Sequence, residues 1–234
     1  MVIQFGCGRS VAAGGYMMIR KLSVLFAMAG MILGDVTATD WPQYQCTPDR
    51  KGYTPDTVAP PYVLAWLRTT PGERICGTTQ PIVYEGKVLV PTMSGSLFAF
   101  DAATGDIAWK TAAAQTEILH SVACANGKVI VPCMDGTVRT FAAEDGKSLW
   151  SFDAGTGKGF STAPCIADDR IYIGNRRGRF YALTLADGEK IWEFDADAPI
   201  LNTAAFSDGM FYHIVANRLH AYTTAAAIRE KETE

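Results

Sequence analysis

A segment of about 41 residues occurs three times in this 234-residue chain, and this repeat restricts the fold more than any other feature. The three copies cover residues 86–110, 127–151 and 169–193. Each copy carries one tryptophan near its end, and these are Trp109, Trp150 and Trp192. Repeats of this length are typical of solenoids and propellers, in which each unit buries its apolar faces against its neighbours.

Apolar residues alternate within each copy, as Val88 and Val90 do, which is typical of β-strands rather than helices. In the first copy this pattern predicts four strands, over residues 81–84, 87–93, 97–101 and 107–110. Glycines such as Gly86 and Gly95 separate them, as tight turns require. Four-stranded antiparallel units repeated at this length predict an all-β fold, a β-propeller whose tryptophans fill the gaps between blades.

The repeat also predicts where the blades lie along the chain. We expect blades at about 79–111, 120–153, 162–195 and 202–224, within a propeller that spans 63–224. The fourth copy lacks a tryptophan strand, whereas residues 63–68, VLAWLR, look like a fourth strand without its first three. We therefore expect 63–68 to act as a closing strand that completes an open sheet at the other end of the ring.

The N-terminal region predicts export from the cytoplasm. Arg20 and Lys21 precede an apolar run over 22–33, which is too short to span a membrane and is typical of a signal peptide. We expect cleavage before Thr39, with no transmembrane span in the mature chain and a periplasmic or extracellular location.

The remaining segments complete the expected organisation. Residues 1–38 comprise the signal peptide and an upstream stretch, since Met17 or Met18 would be a more usual start. Residues 39–62 are expected to form an extended N-terminal lead-in, and 225–234 a polar C-terminal tail.

Charge and cysteine spacing disfavour several kinds of site. The net charge of −3 gives no electrostatic attraction for nucleic acid. The chain contains 6 cysteines but no C-x-x-C motif, so we expect no zinc or other metal site. Cys124, Cys133 and Cys165 lie within predicted strands, where we expect them to be buried apolar residues.

These copies resemble the repeats of the PQQ-like (pyrroloquinoline-quinone) propeller family of exported bacterial proteins. The resemblance rests on Gly86 to Val90, Phe98 to Asp101, Thr104-Gly105 and Trp109, and on the opening DWPQY at 40–44. The family usually builds seven or eight blades, whereas this sequence accounts for about four. The resemblance therefore implies a partial or truncated ring: a fragment, an unusually small ring, or a homodimer in which two chains complete a larger propeller.

The same resemblance raises the question of a quinone cofactor. Quinoprotein dehydrogenases of the superfamily bind PQQ with calcium beside an acidic base, under a disulfide between adjacent cysteines. This chain has no adjacent cysteine pair, and acids such as Asp101 and Asp187 lie in loop corners where they can cap backbone amides. We therefore expect no catalytic residues and no cofactor, and PQQ with calcium only if the chain is a dehydrogenase or part of one.

Two groups of residues are candidate sites. Four polar residues precede the innermost strands at equivalent places and would ring one mouth of the channel: Thr79, His120, Thr162 and Asn202. They could bind a small ligand or only cap strands and hold water. Arg176 and Arg177 lie at a hairpin tip on the same face, where they could contact an acidic partner or remain solvated.

The sequence therefore predicts an exported, non-catalytic propeller that acts as a protein-interaction scaffold. The alternatives are a PQQ-dependent dehydrogenase or a fragment of one, and a polysaccharide- or small-ligand-binding module. The last rests on aromatic residues such as Tyr84 and Tyr172, which strand packing explains equally well.

Overall fold

The computed structural model describes residues 39–57, 59–155, 157 and 159–223. The predicted signal peptide and C-terminal tail lie outside this described part. Within it the regular secondary structure is all strand, as the alternating apolar pattern predicts. No helix of the described residues is long and apolar enough to cross a membrane.

Fifteen strands follow one another along the described residues. They are β1 (Ile82–Tyr84), β2 (Lys87–Pro91), β3 (Ser96–Asp101), β4 (Ile107–Ala112), β5 (Ala123–Ala125), β6 (Lys128–Pro132), β7 (Thr137–Ala142), β8 (Ser148–Asp153), β9 (Cys165–Ala167), β10 (Arg170–Gly174), β11 (Arg179–Thr184), β12 (Lys190–Asp195), β13 (Ala205–Ser207), β14 (Met210–Val215) and β15 (Arg218–Tyr222). The predicted strand boundaries in the first copy differ from these by one or two residues.

Consecutive strands pair antiparallel into four sheets, which are the blades of a propeller. The first three blades have four strands each, β1–β4, β5–β8 and β9–β12, and the fourth has three, β13–β15. The innermost strands neighbour one another in the order β1, β5, β9, β13, and among the described strands no comparable contact joins β13 back to β1. The predicted partial propeller is confirmed, and its ring is unclosed.

The hydrophobic core lies between successive blades. Leu89 and Leu97 of the first blade pack with Val129 and Val131 of the second, and all four are at most 1% exposed. Two further clusters join the second blade to the third and the third to the fourth. Because each blade buries its faces on its neighbours, blades at the ends of the arc have one uncovered face each.

The repeated tryptophans join adjacent blades. Trp109 lies over Gly146 in the next blade, so close that a Cβ on this glycine would be 2.7 Å from the indole ring. Trp150 lies over Gly188 in the same way. The indole Nε1 of Trp109 also donates a hydrogen bond to the Ala143 carbonyl at 3.0 Å. The predicted role of these rings as packing between sheets is thereby confirmed for Trp109 and Trp150.

The two faces of the arc are built from different connections. The loop face carries the turns between first and second strands and the loops between third and fourth, which are joined by bonds such as Ala102 N to Gly86 O at 2.9 Å. The linker face carries the turns between second and third strands and the segments that lead to the next blade, joined by bonds such as Phe160 N to Cys133 O at 3.0 Å.

Candidate functional site

The lead-in segment crosses the inner edges of all four blades. Trp41 pairs with Val83 of β1, its N–H donating to the Val83 carbonyl at 2.7 Å. The amides of Cys124 in β5 and Phe206 in β13 donate to the carbonyls of Pro42 and Pro48, at 2.7 and 2.8 Å. The innermost strands would otherwise present unpaired edges, so this segment satisfies them and links the blades.

The third inner strand is bound by a side chain instead of the backbone. Gln43 is 5% exposed, and its Oε1 accepts from the Ile166 amide at 3.0 Å while its Nε2 donates to the Ile166 carbonyl at 3.3 Å. The amide side chain thus reproduces the pair of bonds that a strand would make to β9. The residues 41–43, WPQ, belong to the opening that carries the family resemblance, and their structural role is to bridge three blades.

Arg50 lies at the end of the stretch of the lead-in that crosses the four blades, and its guanidinium is largely buried. Its Nε and Nη2 donate to the Ala204 carbonyl at 3.0 and 2.8 Å, and its Nη1 donates to the Tyr44 carbonyl. The ring of Tyr44 meets His120 edge-on, with 5.1 Å between centroids. Burial and the nearby Arg50 charge lower the pKa of His120 to about 4, so this histidine is neutral at physiological pH.

The four predicted channel-mouth residues lie in different environments. His120 contacts the lead-in through Tyr44, and its Nδ1 accepts from the Ser121 amide at 2.9 Å. Thr162 is 1% exposed and donates to the Gly174 carbonyl, whereas Asn202 is exposed. Thr79 is half-buried, and its hydroxyl has no hydrogen-bond partner among the described residues. The equal spacing therefore does not produce a ring of equivalent polar groups.

The next residue along the chain makes the contacts between blades at this mouth. Ser121 Oγ accepts from the Gln80 amide at 2.7 Å, which joins the second blade to the first. Thr203 Oγ1 accepts from the Ala163 amide at 3.1 Å, which joins the fourth blade to the third. The spacing that indicated Thr79, His120, Thr162 and Asn202 did not indicate these residues, although a hydroxyl one place later in two copies was a readable signal.

Arg176 and Arg177 project from the turn between β10 and β11 on the linker face, and both are exposed. The turn is held by the fully buried Asn175, whose Oδ1 accepts from the amides of Arg177 and Arg179 at 2.9 and 3.0 Å. Arg176 N donates to the Gly159 carbonyl at 3.1 Å. The hydrogen-bonded turn thus presents two guanidinium groups at the surface. Because both are exposed, packing within the chain stabilises them little.

A groove of about 430 Å³ adjoins these arginines on the linker face. Its walls combine apolar side chains with one positive charge, and the lining residues are Met134, Gly157, Gly159, Arg176, Pro199 and Leu201. Leu201 is 54% exposed, which is high for a large apolar side chain. A concave apolar surface beside guanidinium groups suits a protein segment that carries both apolar and acidic residues.

The metal-binding side chains and the cysteines bear on a possible quinone site with calcium. No group of three or more His, Cys, Asp or Glu side chains among them is placed to hold a metal ion. The described cysteines are all free thiols, and burial raises the pKa of Cys133 to about 12 and of Cys165 to about 11. These two cysteines and Cys124 are buried, as predicted, and as protonated thiols they are poor nucleophiles.

Comparison with known proteins agrees with the fold. The PQQ_2 family model, described as outer membrane protein assembly factor BamB, matches residues 64–193 and 134–229. The crystal structure of BamB from Moraxella catarrhalis is 23% identical, with a TM-score of 0.54 over 66% of this chain and 46% of that one. No curated protein matches this chain.

Two other solved structures have the same fold at low sequence identity. The quinohemoprotein alcohol dehydrogenase ADHIIG from Pseudomonas putida HK5 is 19% identical, with a TM-score of 0.63 over 75% of this chain and 34% of that one. The computationally designed protein Ika4 is 15% identical, with a TM-score of 0.59 over 67% of this chain and 96% of that one. The chain thus spans less than half of the natural proteins in these comparisons.

Proposed function

Because the chain belongs to the PQQ_2 family of PQQ-like repeat propellers, we propose that it is an exported, non-catalytic scaffold that binds another protein. The observation that carries this proposal is the lead-in, which bonds to the inner strands of all four blades and links them into one platform. A platform of this kind presents its turns and linkers at fixed positions for recognition. The description of the family, an assembly factor, names the same kind of role for its members.

The binding surface that we propose is the part of the linker face formed by Arg176, Arg177 and the adjoining groove. Charge complementarity would orient an acidic segment of the partner, while Met134 and Leu201 supply apolar contact. Because the turn is fixed by Asn175, the arginines lose little backbone freedom on binding.

The hydrogen bonds of the inner strands and of the acidic side chains support a role without catalysis. The inner strands make their hydrogen bonds to residues 41–48 of the same chain, and His120 makes its contacts with Tyr44 and Ser121. Asp101 accepts from the Thr104 amide, and Asp187 accepts from the Thr184 hydroxyl and the Glu189 amide. These bonds within their own loops lower the pKa of each carboxyl. We therefore propose that the chain works without a quinone or a metal.

Charge reversal on the linker face tests the proposed binding surface. Arg176→Glu with Arg177→Glu should abolish co-purification of the partner from the exported fraction of cells. The substitutions replace two guanidinium groups by carboxylates, which repel an acidic segment of the partner. The control is Lys87→Glu with Lys147→Glu, which makes the same charge change next to the loop face. The proposal is wrong if the linker-face variant retains all partners that the unsubstituted chain captures, or if both variants lose them equally.

Export is tested separately by sequencing the N-terminus of the secreted or periplasmic chain. We propose that the mature protein begins at Thr39, the first residue of the lead-in. A mature chain that begins well after Trp41 would lack part of the lead-in, and this would contradict the platform described above.

A further inference from the structure

The first blade has a face that no other blade of the described residues covers, which we call the leading face. Val88 and Val90 on this face are half-buried, whereas their equivalents in the next blade, Val129 and Val131, are fully buried by the preceding blade. A cleft of about 610 Å³ lies over it, and its apolar lining includes Trp66, Ile75, Pro81, Val88, Val90 and Phe100. The leading face is therefore shaped for a blade that the described chain does not place there.

The fourth blade has the complementary uncovered face, the trailing face. Leu219 of β15 is 72% exposed, whereas the equivalent residues Leu97, Val138 and Phe180 of the first three blades are at most 1% exposed. Ile214 beside it is 47% exposed. In the first three blades these positions are covered by the next blade, so the trailing face also lacks a neighbour.

Residues 63–68, the closing segment, already lie where a preceding blade would have its fourth strand. Trp66 lies over Gly105 as Trp109 lies over Gly146, and a Cβ on Gly105 would be 2.6 Å from the Trp66 ring. Trp66 Nε1 donates to the Ala102 carbonyl at 3.1 Å, matching the bond of Trp109.

The closing segment nevertheless has no strand partner among the described residues. Val63, Leu64 and Leu67 are 87%, 78% and 71% exposed. An extended apolar segment with an unpaired backbone is a surface that other strands can pair with.

Among the described residues the fourth blade has no fourth strand, which is the kind of strand that the closing segment resembles. In the first three blades the outer tryptophan lies opposite a small residue of the third strand, and these pairs are Ala99 with Trp109, Thr140 with Trp150, and Ala182 with Trp192. The equivalent place in β15 is Ala221, since it lies opposite Tyr212 as Ala99 lies opposite Leu89. Thus β15 keeps the small residue, but no tryptophan lies opposite it within the described part of the chain.

We propose that the closing segment of one copy pairs with β15 of a second copy, with Trp66 opposite Ala221, so that two chains form one ring of eight blades. The trailing face of each copy would then cover the leading face of the other. Such a head-to-tail contact closes after two copies and leaves no strand edge open. A second copy is favoured over self-closure because the chain's own β13 does not lie beside β1.

The oligomeric mass tests this proposal. The full exported chain should have the mass of two chains at micromolar concentration in native mass spectrometry and light scattering. Leu219→Glu places a charge on the trailing face and should shift the species to one chain, a weakening of at least about 100-fold. The matched control Ile107→Glu, at a position that is 55% exposed on an outer strand, should retain the two-chain mass. A one-chain mass for the unsubstituted protein overturns the proposal, as does a two-chain mass for Leu219→Glu.

Disulfide trapping tests the strand register and distinguishes a second copy from self-closure. In the proposed register Arg68 lies opposite Leu219, as Thr111 lies opposite Leu97. Chains with Arg68→Cys mixed with chains with Leu219→Cys should give a covalent two-chain product on mild oxidation. Leu64→Cys mixed with Leu219→Cys should not, because Leu64 lies opposite Tyr222. These variants are made with serine in place of Cys7, Cys46 and Cys76.

The same two cysteines placed in one chain test whether a single chain closes the ring on itself. If the chain with both Arg68→Cys and Leu219→Cys forms an internal disulfide and stays a single chain, the ring closes on itself and the proposal is wrong. Linked two-chain products from this variant, together with those from the mixture, would support it.

Discussion

Replacement of Gly146 by alanine tests how the tryptophans hold neighbouring blades together. Gly146 has a φ of +72°, so any L residue there is strained by about 1–2 kcal/mol. The added Cβ would also lie 2.7 Å from the Trp109 ring, which must move and give up its 3.0 Å bond to the Ala143 carbonyl. Overpacking and the lost bond add about 2 kcal/mol, for a total near 3–4 kcal/mol.

The matched control is Gly127→Ala. Gly127 has nearly the same φ, +69°, but a Cβ there has no heavy atom within 4 Å. This variant should therefore lose only the strain of about 1–2 kcal/mol. Urea unfolding, followed by tryptophan fluorescence, gives the free energy of unfolding of each variant. The two values are compared using the same dependence of free energy on urea concentration. If Gly146→Ala and Gly127→Ala cost the same, the contact between Trp109 and the next blade contributes nothing, and this reasoning fails.

Three further predictions concern the lead-in, a buried histidine and the thiols. Gln43→Ala removes both bonds to the Ile166 backbone at a side chain that is 5% exposed, so the free energy of unfolding should fall by about 2–3 kcal/mol. If urea unfolding shows no change, the lead-in does not stabilise the blades as described. Burial, and to a smaller extent the neighbouring His220, lower the pKa of His213 to about 4, whereas the unfolded chain has a pKa of about 6.5 there. Because the folded state binds the proton less readily, the stability that is fully present above pH 6.5 is lost as the pH falls toward 4. His213→Phe should reduce the loss of unfolding free energy between pH 7 and pH 5 by about 2 kcal/mol, and an unchanged pH profile from thermal unfolding would contradict this. In the native protein a thiol reagent should modify Cys76 well before the buried Cys133, because a hydrogen bond between the Cys76 thiol and the Thr78 hydroxyl lowers the pKa of Cys76. Equal rates in mass spectrometry would show that the second blade opens readily.

Strand positions in the first three blades could be read from the sequence because local signals agree there. Alternating apolar residues, turn glycines and a tryptophan in each copy all indicate the same four strands. The closing segment illustrates where such reading stops. Its sequence resembles a fourth strand, yet residues 63–68 have no strand partner among the described residues, because pairing depends on which other strand lies beside it.

The channel mouth was harder to predict because side-chain environment depends on neighbours distant in sequence. His120 faces Tyr44, which is 76 positions earlier, while Thr162 at the equivalent place is buried against Gly174. Spacing alone gave the four equivalent positions but not the path of the lead-in. That path is set by the unpaired edges of the innermost strands. No local pattern in residues 41–50 encodes which of their carbonyls accept hydrogen bonds from those strands.

The most direct test of the scaffold proposal is native mass spectrometry of the mature chain with and without added PQQ and calcium. The lead-in bonds to the inner strands, and no three His, Cys, Asp or Glu side chains of the described residues are grouped to hold a metal ion. The scaffold proposal therefore predicts the same mass in both samples. A stoichiometric mass increase equal to one quinone with calcium, retained after buffer exchange, would contradict the cofactor-free scaffold and support a dehydrogenase function.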